Sequence, residues 1–204
     1  MSVMRMFSIN KNGNLIKAAE FGNSHLGWNL MHDFIEKIYM PPAPGRYSIF
    51  IESMFDKNVK VDDFWKLGYD SRLKTCHWIA MRCSYDGAMV RKEHFGIVAQ
   101  ALMDTARDMQ DPGHLPAIAD ELGRLAGNDD VIGACWQATS VNADEWGDEG
   151  RMPARDGKSR PFNIFKDVYH TRYCEKQYWL DPTDVSGDMG MDDDPVDPSV
   201  GWEE

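Results

Sequence analysis

Hydrophobic and polar positions along the chain change period several times, and each change marks an element. RMFSINKNGNLIKAAEF alternates about Asn12-Gly13, a pair that supplies the positive φ angles of a tight primed turn, and so predicts a β-hairpin. In the next stretch, NSHLGWNLMHDFIEKIYMPP, Leu26, Leu30, Phe34 and Ile38 recur every four residues. Met31 and Ile35 widen the stripe, Asn23 or Ser24 can cap the start, and Pro41-Pro42 end it. That is an amphipathic helix. RYSIFIESM sets Tyr47, Ile49 and Ile51 against Ser48, Phe50 and Glu52, the alternation of a strand. VDDFWKLG predicts a short helix between Asp62 and Gly68. KTCHWIAMRC is apolar on both alternating faces, as in a covered central strand. The turn Asp86-Gly87 would fold it onto AMVR as a second hairpin.

The clearest helix is KEHFGIVAQALMDTARDM, with Phe95, Val98, Leu102, Ala106 and Met109 on one face and Asp111-Pro112-Gly113 at its end. LPAIADELGRLAG follows as a second helix, Pro116 in its first turn and Gly127 closing it. VIGACWQATSV predicts a strand, and residues 142–160 a long charged loop. PFNIFKDVYHTRYCEKQYW spaces Phe162, Phe165, Tyr169 and Tyr173 by three, four and four, the spacing of a helix. No internal repeat is present. The element order predicts a single α+β domain over 1–180: a mixed, mostly antiparallel sheet with two β-hairpins, packed against four to five helices. An acidic tail, 181–204, follows it.

Composition changes this picture in one respect. The 204 residues are 43% hydrophobic and 11% aromatic, enough for one substantial core. The formal charge of −11 is unevenly placed. Residues 181–204 hold nine of the 33 acidic residues and none of the 22 basic ones, so the preceding 180 residues have a net charge of only −2. Residues 151–176 run the other way, with seven basic residues against three acidic. No apolar run reaches the ~20 residues of a membrane span, and the N-terminus lacks a signal-peptide pattern. A cytoplasmic location is expected, with Cys76, Cys83, Cys135 and Cys174 as reduced thiols.

Candidate chemistry is sparse. Phosphate-loop, dinucleotide, zinc-protease and serine-hydrolase motifs are all absent. On the strand reading, Cys76 and Cys83 face opposite sides, and His77 lies about 20 Å from Cys83. One zinc ion cannot bridge that distance, and no metal or cofactor is expected. A nucleophilic pair of Cys135 with His77 or His94 would have to assemble in space. Asp144, Glu145, Asp148 and Glu149 offer loop carboxylates that are usually just solvated. The basic stretch interleaves Arg155, Lys158, Arg160, Lys166 and Arg172 with Phe, Tyr and Trp, as a single-strand nucleic-acid surface does. The helical spacing of its aromatics favours a core-facing role instead.

The tail, GDMGMDDDPVDPSVGWEE, has too little apolar area to fold alone. In composition it resembles the acidic tails of single-stranded-DNA-binding proteins, although it closes on Trp202-Glu203-Glu204. Three roles suit it: a solubilising bristle, a cover for the basic segment, or a decoy that offers carboxylates to a basic partner. The expected function is a non-enzymatic interaction protein of the phage or mobile-element accessory type. It would inhibit or modulate a basic, nucleic-acid-handling protein by imitating nucleic-acid charge. Asp188, Asp192, Asp193, Asp194, Asp197 and Trp202 would make the contact, joined by Asp144, Glu145 and Trp146. An enzyme using the Cys/His or carboxylate groups, and a single-strand binder gated by its tail, are the alternatives.

Overall fold

A computed structural model describes residues 3–22, 27–59, 64, 67, 72–84, 88–138, 150–153, 157–167 and 179–184. Strands β1 (Val3–Asn10) and β2 (Leu15–Gly22) form the predicted hairpin. Gly13 sits in its turn at φ +82°, and the Asn10 side chain accepts the Asn12 and Asn14 backbone N–H groups. This left-handed conformation is one that glycine adopts without strain.

Helix α1 comprises a π-wound stretch, Gly27–Glu36, and an α-helical turn, Lys37–Tyr39. Leu30, Met31, Phe34 and Ile35 are buried as the stripe predicts, but Ile38 is exposed. The wide winding bonds i to i+5, so each turn holds more residues and a four-residue stripe drifts off the core face. The remaining elements are helices α2 (Ile49–Phe55) and α3 (Thr75–Ser84), strand β3 (Ala88–Arg91), helices α4 (Phe95–Asp108) and α5 (Leu115–Ala126), and strand β4 (Val131–Ala138). Three short strands, β5 (Arg151–Pro153), β6 (Ser159–Pro161) and β7 (Trp179–Leu180), follow among the described residues.

The sheet order is β2-β1-β4-β3-β7, antiparallel except for the parallel β3–β7 pair. Two bulges shape it. Ala18 has no partner between Met6↔Ala19 and Phe7↔Lys17, which lets Lys17 and Glu20 pair at 2.7 Å on the edge strand. Ile132 is skipped between Ile9↔Gly133 and Asn10↔Val131. The second bulge inverts the alternation of β4, so Val131, Ala134 and Trp136 face the helices while Ile132 and Cys135 face away.

The core therefore has two layers. The larger lies between Met4, Met6, Val90, Ala134 and Trp136 of the sheet and the inner faces of α1, α3, α4 and α5. The smaller, on the other face, gathers Phe7, Ile9, Leu15, Met89, Cys135, Phe162 and Ile164, with Trp179 packed against it. Phe64 and Leu67 of the expected 61–68 helix are buried in the larger layer. The rest of that segment lies outside the described residues.

The structure departs from the pattern at five places. RYSIFIESM forms helix α2, not a strand: the Ser48 side chain caps it by accepting the Ile51 N–H, and the buried Glu36 carboxylate accepts the Ile49 N–H at 2.6 Å. KTCHWIAMRC is helix α3, wrapped by α1, α4 and the sheet, so apolar residues on most sides suit it as well as they suit a covered strand. No hairpin joins it to AMVR; β3 pairs with β4 and β7 instead. The charged loop contains the small antiparallel pair β5–β6. After Pro161 the chain forms turns, not a helix, over the described residues 162–167. Phe162 is buried while Phe165 is half-exposed over the Gly13 turn, so these aromatics do not share a helical face.

Candidate functional site

The root of the acidic tail is part of the sheet. Strand β7 docks at the sheet edge because the Trp179 ring lies over Gly133, where a Cβ would stand 2.6 Å from the indole and 2.8 Å from the Val90 carbonyl oxygen. Only glycine leaves that slot open. The Arg91 guanidinium stacks on the same ring at 4.7 Å, a cation–π contact that closes the slot from outside. Beyond it, the Asp181 carboxylate accepts the Thr183 N–H at 2.9 Å and the Thr183 hydroxyl at 2.6 Å. These bonds, with the charge of nearby His94, hold its carboxyl below the ordinary aspartate range.

The basic segment packs on the same face of the sheet. Arg160 donates two bonds of 2.7 Å to Asp167, whose carboxylate is buried and also accepts the Asn163 N–H at 2.7 Å. Asn163 in turn donates to the Asn12 carbonyl and the Asn14 side chain, and accepts the Phe165 N–H. These residues clip the segment to the β1–β2 turn and close the smaller core layer. Asp167 holds the Arg160 guanidinium still more firmly in its charged form. Lys158 and Lys166 are exposed, while Arg155 and Arg172 lie outside the described residues. Arg160 is thus paired with a buried carboxylate, while its own side chain stays 43% exposed.

On the helical side, His77 is buried in a hydrogen-bonded chain. Its Nε2 lies 2.9 Å from Asp108 Oδ2 and its Nδ1 lies 2.7 Å from the Tyr39 hydroxyl. Lys74 adds its ammonium to the same Asp108 oxygen at 2.7 Å and its backbone N–H to the Tyr39 oxygen. One proton arrangement satisfies every group. Lys74 N–H donates to Tyr39, Tyr39 O–H donates to Nδ1, and Nε2–H donates to the carboxylate. Lys74 first and His77 next hold the Asp108 carboxyl below its usual range. Burial pushes the His77 imidazole below its ordinary value despite Asp108, so it stays neutral. The chain ties α1 to α3 and α4.

The cysteines do not form a site with His77. Cys135 is fully buried on the face of the sheet away from the helices, so the sheet itself separates it from His77. On a helix, Cys76 and Cys83 share a side, two turns and about 10 Å apart. That corrects the alternation argument and still exceeds the span of one zinc ion. Burial drives the Cys83 thiol far up, leaving it protonated. Among the described residues no group of His, Cys, Asp and Glu is arranged to hold a metal ion. Likewise, no helix among them is long and apolar enough to cross a membrane.

Of the predicted contact residues, Asp144, Glu145, Trp146, Asp188, Asp192, Asp193, Asp194, Asp197 and Trp202 lie outside the described residues, as do Asp148 and Glu149. The pattern reading missed the surface of α1 and α2. Ile38 is 51% exposed, Tyr47 68% and Phe55 83%, all on one helix–loop–helix unit. The available signal was Ser48, a good N-cap directly before IFIESMF, which outweighs alternation over so short a run. No family model, curated protein or solved structure matches this chain.

Proposed function

We propose that this is a non-enzymatic binding protein whose acidic tail engages a basic protein partner of the kind that handles nucleic acid. One observation carries the reading. The cation at the centre of the basic segment, Arg160, is already matched by the buried Asp167, so the nine negative charges of 181–204 are not required at home to neutralise it. The anchoring of Trp179 in the Gly133 slot supports it, because the tail then springs from a fixed point on the sheet. A clustered charge on a fixed root steers a partner of opposite sign and raises its association rate. On this reading the partner is inhibited because the tail occupies the surface that otherwise meets phosphates.

The test uses the full chain and a chain truncated after Asp184, with affinity capture from the native host followed by binding measurements on the captured protein. The full chain binds, the truncated chain loses the interaction, and affinity falls as salt screens the charges. A partner held equally well by both chains, or at unchanged affinity in high salt, refutes the tail as the contact.

A further inference from the structure

We infer that the Gly133 slot and the adjoining edge of β3 form a docking site that two copies of this chain fill reciprocally, each with the Trp179–Asp181 segment of the other. The chain itself occupies the site in cis, which identifies what fits it. Successive side chains of the segment part to opposite faces of the sheet: Trp179 packs on the smaller core layer and Leu180 on the larger. Their backbone pairs in parallel with Met89 and Val90. The indole covers Gly133 too closely to admit a Cβ, the Arg91 guanidinium lies 4.7 Å from the ring, and Asp181 follows close to His94. An aromatic ring, an aliphatic side chain and a carboxylate are thus each matched by a separate feature of one continuous site, in the manner of strand addition to a sheet edge.

Exchange follows from two features. The first is the slight attachment of β7, which pairs with β3 at two residues, in a parallel ladder, with both side chains only partly buried. A strand held in this way opens at a free energy well below that of the whole fold. Opening uncovers the slot and the outer backbone groups of β3, a template that a strand of the same kind refills. A second copy carries the fitting segment by identity, with ring, register and carboxylate in place. The second feature is reach. Residues 168–178 separate Asp167 of the clip from Trp179, and that length of chain spans up to about 35–40 Å, enough to carry β7 onto a neighbouring molecule. Exchange re-forms every contact, so the affinity of the slot cancels between the closed monomer and the exchanged dimer. The dissociation constant is then set by the effective concentration of the segment at its own slot, on the order of 1 mM. None of these residues lies in the tail beyond Asp184, so this inference and the tail reading fail independently.

Two variants of the full chain separate this pairing from any other. Trp179→Ala empties the slot, whereas Gly133→Ala blocks the slot and releases the Trp179 segment. In sedimentation velocity at up to about 1 mM, each variant alone should remain a monomer of 23.3 kDa. Their equimolar mixture should form a one-way heterodimer, the Gly133→Ala chain donating its segment to the vacant slot. The unsubstituted chain, and the chain truncated after Asp184, should move toward twice the monomer mass at the same concentration. The peptide QYWLDPTD, residues 177–184, should bind Trp179→Ala in fluorescence anisotropy and dissolve the heterodimer. The same peptide with Ala in place of its Trp should bind at least about tenfold more weakly. If Gly133→Ala fails to fold by circular dichroism, the peptide takes its place as donor. The inference is overturned if the mixture or the unsubstituted chain stays monomeric, if Trp179→Ala alone dimerises as the unsubstituted chain does, or if Trp179→Ala binds both peptides equally or neither.

Discussion

Removing either member of the Arg160–Asp167 pair should unclip the basic segment from the β1–β2 turn, and the two removals should differ. In Asp167→Ala, the buried Asn163 N–H loses its acceptor, worth about 1–3 kcal/mol. The ion pair adds little, about 0.5–1 kcal/mol, because the Arg160 side chain is 43% exposed and water can replace the carboxylate. The expected loss is about 2–3 kcal/mol. In Arg160→Ala, the carboxylate, only 6% exposed, keeps one backbone donor and loses both guanidinium bonds. Stranding a buried charge costs about 3–5 kcal/mol, and access of water from the Arg160 side places this case near the lower limit. At about 2–4 °C per kcal/mol for a chain of this size, either variant should melt several degrees early. The double variant should cost about as much as Asp167→Ala alone, because no stranded carboxylate remains. Urea unfolding followed by tryptophan fluorescence gives the four free energies of the cycle. Additive losses, or either single loss below about 0.5 kcal/mol, would refute the clip.

Gly133→Ala should cost about 2–3 kcal/mol and free Trp179 from its slot, seen as a red shift and easier quenching of its fluorescence, because the new methyl meets both the indole and a fixed carbonyl. Trp136→Phe should cost about 2–3 kcal/mol in urea unfolding, since the buried Cys83 carbonyl oxygen loses the indole N–H that donates to it at 2.7 Å. His77 should make stability depend on pH. Its folded value lies below the ordinary 6.5, so the neutral ring is favoured in the folded state. Its contribution is complete above about 6.5, and is lost as pH falls from there through the folded value. Urea midpoints between pH 7.5 and 5 should decline in the parent and decline less in His77→Gln; equal slopes would exclude His77 as a source, while His32, shifted in the same direction, retains part of the effect.

Sequence alone determined the elements whose signals are local. The β1–β2 turn follows from Asn12-Gly13, and Leu115, Ile118, Leu122 and Leu125 of α5 are buried as their periodicity requires. The α4 face from Phe95 to Leu102 is equally legible, because its end signals and its apolar spacing agree. The segregation of charge into the last 24 residues needs no structure at all.

Tertiary structure decided what local pattern leaves degenerate. A ten-residue run buried on several sides, such as α3, satisfies a strand and a helix equally until its neighbours are in place. Helix α2 depends on Glu36, a carboxylate supplied from another helix thirteen residues earlier. The spacing of Phe162 and Phe165 imitates a helix, but their roles are set by the Asn163 contacts to Asn12 and Asn14, about 150 residues away in the chain. The same holds for function. That the chain carries basic and acidic segments side by side is written in its sequence, but that Arg160 is already satisfied depends on which carboxylate the fold brings to it. Coulomb energy depends on distance and burial, and only the folded chain sets those.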